Sequence, residues 1–169
     1  MVDTLSSDTG QVEVTDLPEH DVVVCAVGRE HFALPLESLA EIFKVSEITP
    51  LPTSPSYLMG VINVHGSLSS VLSLGRILGF EDNINIKEGE EGLLLILTPD
   101  FGSIALRVDI TTGFTSYVTL EDVARDDLAR ADSVEIIEGV FRDNGKLISL
   151  INPEKLRVWI DGEFTKGED

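Results

Sequence analysis

The sequence has little of what several classes of protein require. Its 169 residues include one cysteine and only 12 basic side chains against 30 acidic ones. A lone cysteine excludes an intrachain disulfide and fits a reducing compartment. The shortage of lysine and arginine argues against binding to nucleic acid or to an anionic membrane, because both need clustered positive charge.

Long hydrophobic runs are also missing. No apolar run approaches the ~18 residues needed to span a bilayer. Residues 1–20 lack the basic and apolar regions of a signal peptide. From these absences we expect a cytoplasmic protein with no nucleic-acid partner and no direct membrane insertion.

Negative charge is abundant but unevenly distributed. The formal net charge is −18, of which residues 1–19 carry −5 and residues 161–169 carry −3. Both ends are polar and lack hydrophobic periodicity, so we predict a disordered acidic tail over 1–19 and a flexible acidic tail over 161–169. Apolar residues make up 43% of the chain, which is enough to fold a domain over 20–160.

The apolar residues fall into short runs of strand length. Residues 21–27 are rich in valine, and a turn at Gly28 leads into residues 31–35, which predicts a hairpin. Asn144-Gly145 predicts another tight hairpin near the C terminus. In all we expect about nine strands, at 21–27, 31–35, 57–64, 68–72, 93–98, 103–109, 110–118, 134–142 and 146–151. Many short strands joined by tight turns favour small closed barrels.

Helices are expected to be few and short. Three prolines predict an extended connector over 49–56, and the charged residues 81–92 predict a loop. The helix signals are a possible single turn within 37–43, a short helix at 74–78 ended by Gly79, an N-cap at Thr119, and a C-terminal helix opened by Asn152-Pro153.

Signatures of catalysis and metal binding are missing from the sequence. His20, His31 and His65 have no i,i+4 partner and no neighbouring cysteine, so they lack metal-ligand spacing. Cys25 lies in an apolar strand, which favours a buried, inert thiol over a nucleophile. Asp109 ends an apolar strand, and we expect it to bond turn amides. We therefore predict no catalytic residue, no metal site and no cofactor.

An ordered set of motifs extends through most of the sequence. Its central part runs from Pro55-Ser56-Tyr57 to Gly60-Val61-Ile62-Asn63-Val64-His65-Gly66. The other segments of the set are Ala33-Leu34-Pro35-Leu36, Leu39-Ala40-Glu41-Ile42, Ile48-Thr49-Pro50-Leu51-Pro52, Val71-Leu72-Ser73-Leu74, Ile104-Ala105-Leu106-Arg107-Val108-Asp109, Ile137-Glu138-Gly139-Val140, and Leu147-Ile148-Ser149-Leu150-Ile151-Asn152-Pro153-Glu154-Lys155-Leu156. As an ordered set the motifs are specific, and they resemble the CheW family of chemotaxis coupling proteins over roughly residues 20–160.

The resemblance implies a fold and a function. The fold is mainly all-β, with two small five-stranded SH3-like β-barrels packed together, short helices and a C-terminal helix. The function is that of a non-catalytic adaptor, which couples the cytoplasmic tip of a chemoreceptor to the regulatory domain of a CheA-type histidine kinase. Exposed apolar patches on a rigid scaffold suit such docking, because little conformational entropy is lost on binding.

Matched position by position, the resemblance places the partner-binding surface at Leu39, Glu41 and Ile42, with Asn63 and His65 at a turn. The i,i+3 spacing of Leu39 and Ile42 equally fits two core residues, and Glu41 equally fits a solvated charge. His65 stands where the family usually has the arginine of Asn-x-Arg-Gly. The change removes a permanent charge and a bidentate fork.

Two other functions stay open at the level of sequence. The missing arginine favours a regulatory or sequestering module that binds one partner only, in a related pathway such as pilus-driven twitching motility. An enzyme on a β-barrel scaffold is the other alternative, and the sequence offers no support for it. Whether receptor and kinase bind together or exclusively separates the adaptor from the single-partner module.

Overall fold

The computed structural model describes residues 17–45, 47–79, 92–121 and 135–167, with side chains up to residue 163. Strands dominate these ranges. The strands are β1 (His20–Val27), β2 (Glu30–Pro35), β3 (Leu39–Lys44), β4 (Leu58–Val64), β5 (Ser67–Ser73), β6 (Leu93–Leu97), β7 (Ile104–Val108), β8 (Ile110–Tyr117), β9 (Ile137–Asp143) and β10 (Lys146–Ile151). The helices are α1 (Leu74–Leu78) and α2 (Pro153–Gly167), and Leu36–Ser38 and Pro99–Phe101 form short 3-10 turns. No helix in these ranges is both long enough and apolar enough to cross a membrane.

The strands form two five-stranded sheets, each curled into a small barrel. The first barrel has the strand order β8-β1-β2-β10-β9, and the second has the order β3-β6-β7-β5-β4. All pairs are antiparallel except β10 with β2 and β5 with β7. The predicted fold of two five-stranded barrels with few helices is confirmed.

The inner strands of each sheet are buried on both faces, which explains the continuous apolar runs in the sequence. In β1, Val22 and Val24 point into the first barrel. Val23, Cys25 and Val27 point to the opposite face, into a large core shared by both barrels and both helices. Because neighbouring side chains of a strand point to opposite faces, a strand between two cores needs an apolar residue at every position.

The two barrels repeat one topology in a different chain order. Strands β3 to β7 build the second barrel in sequence, whereas the first barrel uses β8, β9, β10, β1 and β2 in the same spatial roles. The backbone N–H of Ser73, at the end of β5, donates to the Tyr57 carbonyl at 2.8 Å. At the equivalent place after β10, Asn152 donates to the Ile136 carbonyl at 2.9 Å. Both donors also cap the following helix.

Two glycines allow the barrels to close. The Thr49 and Val61 backbones exchange two hydrogen bonds of 2.9 Å across the edge of the second barrel. A Cβ on the preceding Gly60, whose φ is +147°, would overlap the Thr49 carbonyl oxygen. Glu121 and Val140 form the matching bridge of the first barrel, again directly after a glycine, at position 139.

The chain passes from the second barrel back to the first at Asp109, between β7 and β8. One carboxylate oxygen accepts the Arg107 guanidinium at 2.7 Å, and the other accepts the backbone N–H of Gly28, also at 2.7 Å. The Asp109 backbone N–H donates to the Ala26 carbonyl. Asp109 thus bonds a turn amide as predicted, and it ties the β1–β2 turn to the end of β7.

Most local predictions are confirmed, including the hairpins, the α1 stop at Gly79 and the Asn152 cap. The helical turn considered for 37–43 is wrong beyond Ser38, because Leu39–Lys44 pairs with β6 and adds a tenth strand. Thr119 does not start a helical turn within the described residues, since Glu121 forms a β-bridge. The predicted loop at 81–92 lies almost wholly outside them, as does the tail at 1–19.

The C-terminal helix is longer than predicted. It continues to Gly167, so most of the range 161–169 is helical rather than a flexible tail. The Arg157 guanidinium lies 2.6 Å from Glu154 and 3.6 Å from Asp161, one helical turn to either side. Such i,i+3 and i,i+4 pairs stabilise the part of α2 between Glu154 and Asp161.

Candidate interaction surface

Strand β3 carries three of the five predicted residues at the edge of the second barrel. A bulge at Ala40 shifts its register against β6, so Leu39 faces Leu97 while Glu41 faces Ile96. Leu39 therefore points to the shared core, where it is half-buried. Glu41 points to the other face of the sheet. In a regular strand the side chains of Leu39 and Glu41 would point to the same face, and the bulge places them on opposite faces.

Ile42 is the exposed apolar member of the set. It pairs with Leu95 at the margin of the shared core, yet 36% of its surface is exposed. A core role thus fits Leu39 better than Ile42. The i,i+3 spacing does not put them on one helix face, because the segment is a strand.

Glu41 and His65 meet in space. Nε2 of His65 lies 3.1 Å and 3.0 Å from the two carboxylate oxygens of Glu41. The side chains are 42% exposed for Glu41 and 70% exposed for His65. The Phe43 ring lies under the imidazole with a centroid distance of 5.9 Å. The contact joins β3 and the β4–β5 turn, which are opposite edges of the second barrel, into one exposed surface.

The β4–β5 turn fixes the position of His65. His65 has φ +51° and Gly66 has φ +86°, the double positive φ of a type I′ hairpin. Asn63 accepts the Gly66 backbone N–H through its side-chain oxygen at 2.8 Å. Asn63 therefore shapes the turn that presents His65, and we give the name Glu41–His65 surface to the three side chains in contact there, those of Glu41, Phe43 and His65.

Leu68 and Phe43 were missed at the level of sequence. Leu68 lies opposite Asn63 in the β4–β5 hairpin and is 65% exposed. The signal was present, since Leu68 is a lone leucine among Ser67, Ser69 and Ser70. Phe43 gave no signal, because its contact with His65 depends on the curl of the barrel.

The first barrel has a different surface at the equivalent position. We match Ser73 of the second barrel with Asn152 of the first and follow the strand registers from there. Glu41 then corresponds to Gly113, and His65 corresponds to Asn144. Asn144 has the same φ of +51° as His65. A small polar cavity of about 140 Å³, lined in part by Gly113 and Asn144, lies at this position. Among the described residues, the contact between Glu41 and His65 is thus particular to the second barrel.

The described residues offer no arrangement typical of an active site. Within these ranges no three or more His, Cys, Asp or Glu side chains are grouped to hold a metal ion. Cys25 is fully buried, and burial raises the pKa of its thiol to about 12. A thiol that stays protonated at neutral pH is a poor nucleophile.

Comparison with known proteins identifies the family of this chain. The sequence model of the CheW-like domain matches residues 21–159. The chain is 22% identical over 141 residues to chemotaxis protein CheW of Treponema pallidum, covering 82% of each chain. It is 36% identical over 61 residues to protein FrzA of Myxococcus xanthus, covering 36% of this chain and 38% of that one.

A solved structure has the same fold. The scaffolding protein TtCheW from Thermoanaerobacter tengcongensis superposes with a TM-score of 0.69 at 20% identity. The alignment covers 80% of this chain and 85% of that one. It therefore includes both barrels rather than one.

Proposed function

The chain belongs to the CheW-like domain family, and on that basis we propose that it is a non-catalytic adaptor coupling a chemoreceptor to a CheA-type histidine kinase. The proposal puts the protein in the cytoplasm, with the cytoplasmic tip of the receptor and the regulatory domain of the kinase as partners. Its strongest structural support is the Glu41–His65 contact. That contact makes one rigid surface from two chain segments, which the resemblance had assigned separately to partner binding.

The chemistry of the Glu41–His65 surface suits protein docking. It combines a carboxylate and an imidazole with the aromatic ring of Phe43, and β3 and the β4–β5 hairpin also expose the apolar side chains of Ile42 and Leu68. Interfaces typically have apolar contacts at their centre and polar groups that set register. Hydrogen-bonded strands carry the surface, so little ordering is needed when a partner binds.

A module that binds one partner only is the second candidate. His65 supports it, because an imidazole does not offer the permanent charge and the double donor geometry of an arginine. Similarity to FrzA supports a role in a related pathway.

A three-component binding experiment tests the adaptor and separates it from the second candidate. The full chain is mixed with the kinase regulatory domain and with a receptor-tip peptide, alone and together, and complexes are sized by light scattering after gel filtration. An adaptor gives a ternary complex. Exclusive binding, in which the receptor peptide displaces the kinase domain, supports the single-partner module, and binding to neither rejects both.

A further inference from the structure

The hairpin side of the Glu41–His65 surface carries almost no charge. Residues 48–75, which include β4, β5 and the turn between them, contain no Asp, Glu, Lys or Arg, although charged residues make up 25% of the chain. Leu68 is 65% exposed in the same hairpin. Because the charges of two docked surfaces are complementary, a partner face that fits this hairpin is uncharged and partly apolar.

Glu41 is the charged group that faces the His65 imidazole. Of the described residues on the neighbouring strands, Lys44 alternates to the face opposite Phe43, and β6 has only apolar side chains. Within the described part of the chain, Glu47 lies exposed beyond the end of β3 and forms no ion pair with the imidazole. The charge of the surface therefore depends on one carboxylate and one imidazole.

The contact fixes which ring nitrogen of His65 carries a hydrogen. An ionised carboxylate only accepts hydrogen bonds, so Nε2, at 3.0 Å and 3.1 Å from the two Glu41 oxygens, is the donor. The neutral ring then has a bare Nδ1, on a side chain that is 70% exposed. Protonation at Nδ1 leaves the Nε2 contact intact and changes the pair from net negative to neutral.

Docking changes the balance between these two states. A carboxylate beside a neutral imidazole is a charge without a counterion, and removing its water costs free energy unless an opposite charge compensates it. An uncharged partner face supplies no such charge, whereas a proton on His65 does. The Phe43 ring, with a centroid distance of 5.9 Å to the imidazole, also favours the cation. Burial under an uncharged face therefore favours the protonated pair.

We propose that the Glu41–His65 surface docks an uncharged, partly apolar face of its partner and takes up a proton at His65 when it does so. The inference rests on the adaptor function proposed above and specifies the partner chemistry and the pH response of that site. Binding strengthens as the pH falls through the range in which a free imidazole titrates, at pH ~6.5. A partner that brought a lysine or arginine to Glu41 would instead leave the imidazole neutral, and no proton would be taken up.

Calorimetric titration in two buffers of different ionisation enthalpy counts the protons taken up. The full chain is titrated with the kinase regulatory domain and, separately, with the receptor-tip peptide, at pH 6.0, 7.0 and 8.0. For the partner that covers the surface, we expect uptake of roughly half a proton or more at pH 7.0. Its affinity should be about tenfold higher at pH 6.0 than at pH 8.0, within the limit of tenfold per pH unit for one proton.

The same titration separates failure of the inference from failure of the proposed function. Binding to neither partner at any pH rejects the adaptor function and the inference with it. Binding without proton uptake and with a flat pH profile, for every partner that binds, overturns the inference alone.

Three variants assign the proton to this pair. His65→Arg has a permanent charge, so it should bind without proton uptake and with equal affinity at pH 6.0 and pH 8.0. Glu41→Gln removes the carboxylate that the proton compensates, and it should also abolish the uptake. His20→Gln is the matched control, since His20 is an exposed imidazole stacked on Tyr117 in the first barrel, and it should take up protons as the wild type does. Uptake that persists in His65→Arg would overturn the assignment to His65.

Discussion

His65 reaches Glu41 across the barrel edge, with its Nε2 3.0 Å from a carboxylate oxygen although the two residues are 24 positions apart. The turn that holds His65 has positive φ at both central residues, and the strand that holds Glu41 is bulged at Ala40. Neither local feature predicts the contact. It exists because β3 and β4 form the two edges of one curled sheet.

Substitution of His65 tests whether this contact contributes to partner binding. His65→Asn removes the imidazole but keeps the turn, because Asn144 has the same φ in the equivalent hairpin. We expect weaker binding to the kinase domain or the receptor peptide by calorimetry. Stability to urea should change by no more than the ~0–1 kcal/mol typical of an exposed ion pair.

His65→Arg is the matched gain-of-charge variant. The arginine adds a permanent charge and a planar guanidinium whose N–H groups can donate to the Glu41 carboxylate. We therefore expect the variant to bind the kinase domain and the receptor peptide at least as tightly as the wild type does. If His65→Asn binds both partners with unchanged affinity, His65 is not part of the docking surface.

Gly60 should tolerate no side chain. Gly60→Ala puts a methyl group onto the Thr49 carbonyl oxygen at the barrel closure, and overpacking of this kind costs about 1–3 kcal/mol in addition to the strain of a positive φ. Gly113→Ala is the control, since Gly113 has a similar φ of +134° but open space around a Cβ. Urea unfolding of both variants separates the clash from the backbone strain. Equal losses would mean that the Thr49–Val61 closure does not limit position 60.

Removal of the Asp109 carboxylate from the buried Arg107–Asp109 pair should strongly destabilise the protein. Arg107 is 4% exposed, and Asp109→Ala removes both the carboxylate near its guanidinium and the acceptor of the Gly28 N–H. Removing one partner of a buried ion pair lowers the free energy of unfolding by about 3–5 kcal/mol. The control is Glu154→Gln in the exposed pair with Arg157, which should leave the urea midpoint almost unchanged. Similar midpoints for the two variants would contradict this role of Asp109.

Cys25 should make stability depend on pH in the alkaline range. An unfolded cysteine loses its proton near pH ~8.5, whereas burial holds the folded thiol protonated up to about pH 12. Above the unfolded pKa the unfolded state binds fewer protons. The free energy of unfolding should therefore fall with rising pH, by up to ~1.4 kcal/mol per unit for this one group. Below pH ~8.5 the contribution is constant.

Cys25→Ala isolates this slope from the other groups that titrate at high pH. The variant loses a fixed amount of packing, but its stability should fall less steeply than that of the wild type between pH 8.5 and 10, measured by urea unfolding. Parallel profiles would show that the buried thiol does not ionise differently in the two states.

The sequence predicts what is encoded within a few neighbouring residues. Asn144-Gly145, Gly79 and Asn152 have local signals, because turns and caps depend on the φ and hydrogen-bonding capacity of single residues. Strand β3 was missed, since Leu39–Lys44 becomes a strand through pairing with β6, about fifty residues later. The repeat of the two barrels has a short local trace, because Gly60-Val61, Gly66, Leu68 and Ser70 recur in the same register as Gly139-Val140, Gly145, Leu147 and Ser149.

The candidate surfaces depend even more on distant pairing. The resemblance found Glu41 and His65, but their contact, the Phe43 ring beneath them and the exposed Leu68 appear only once the barrel has curled. A cavity of about 370 Å³ along α2 is lined by Glu135, which precedes β9, and by residues of the last helix. No periodicity connects those segments, because their proximity depends on the shared core.

The interleaved order of the two barrels has a consequence for synthesis. Strands β3 to β7 are contiguous, so all parts of the second barrel are present once residue 108 has left the ribosome. Hairpin β1–β2 is made first, but the other strands of its barrel, β8, β9 and β10, are translated only later. Until then the hairpin is a pair of strands without further partners. An isolated hairpin is marginal in water. The part of the protein made first is therefore the part completed last, and a chain truncated between residues 109 and 136 has every strand of the second barrel but lacks β9 and β10 of the first.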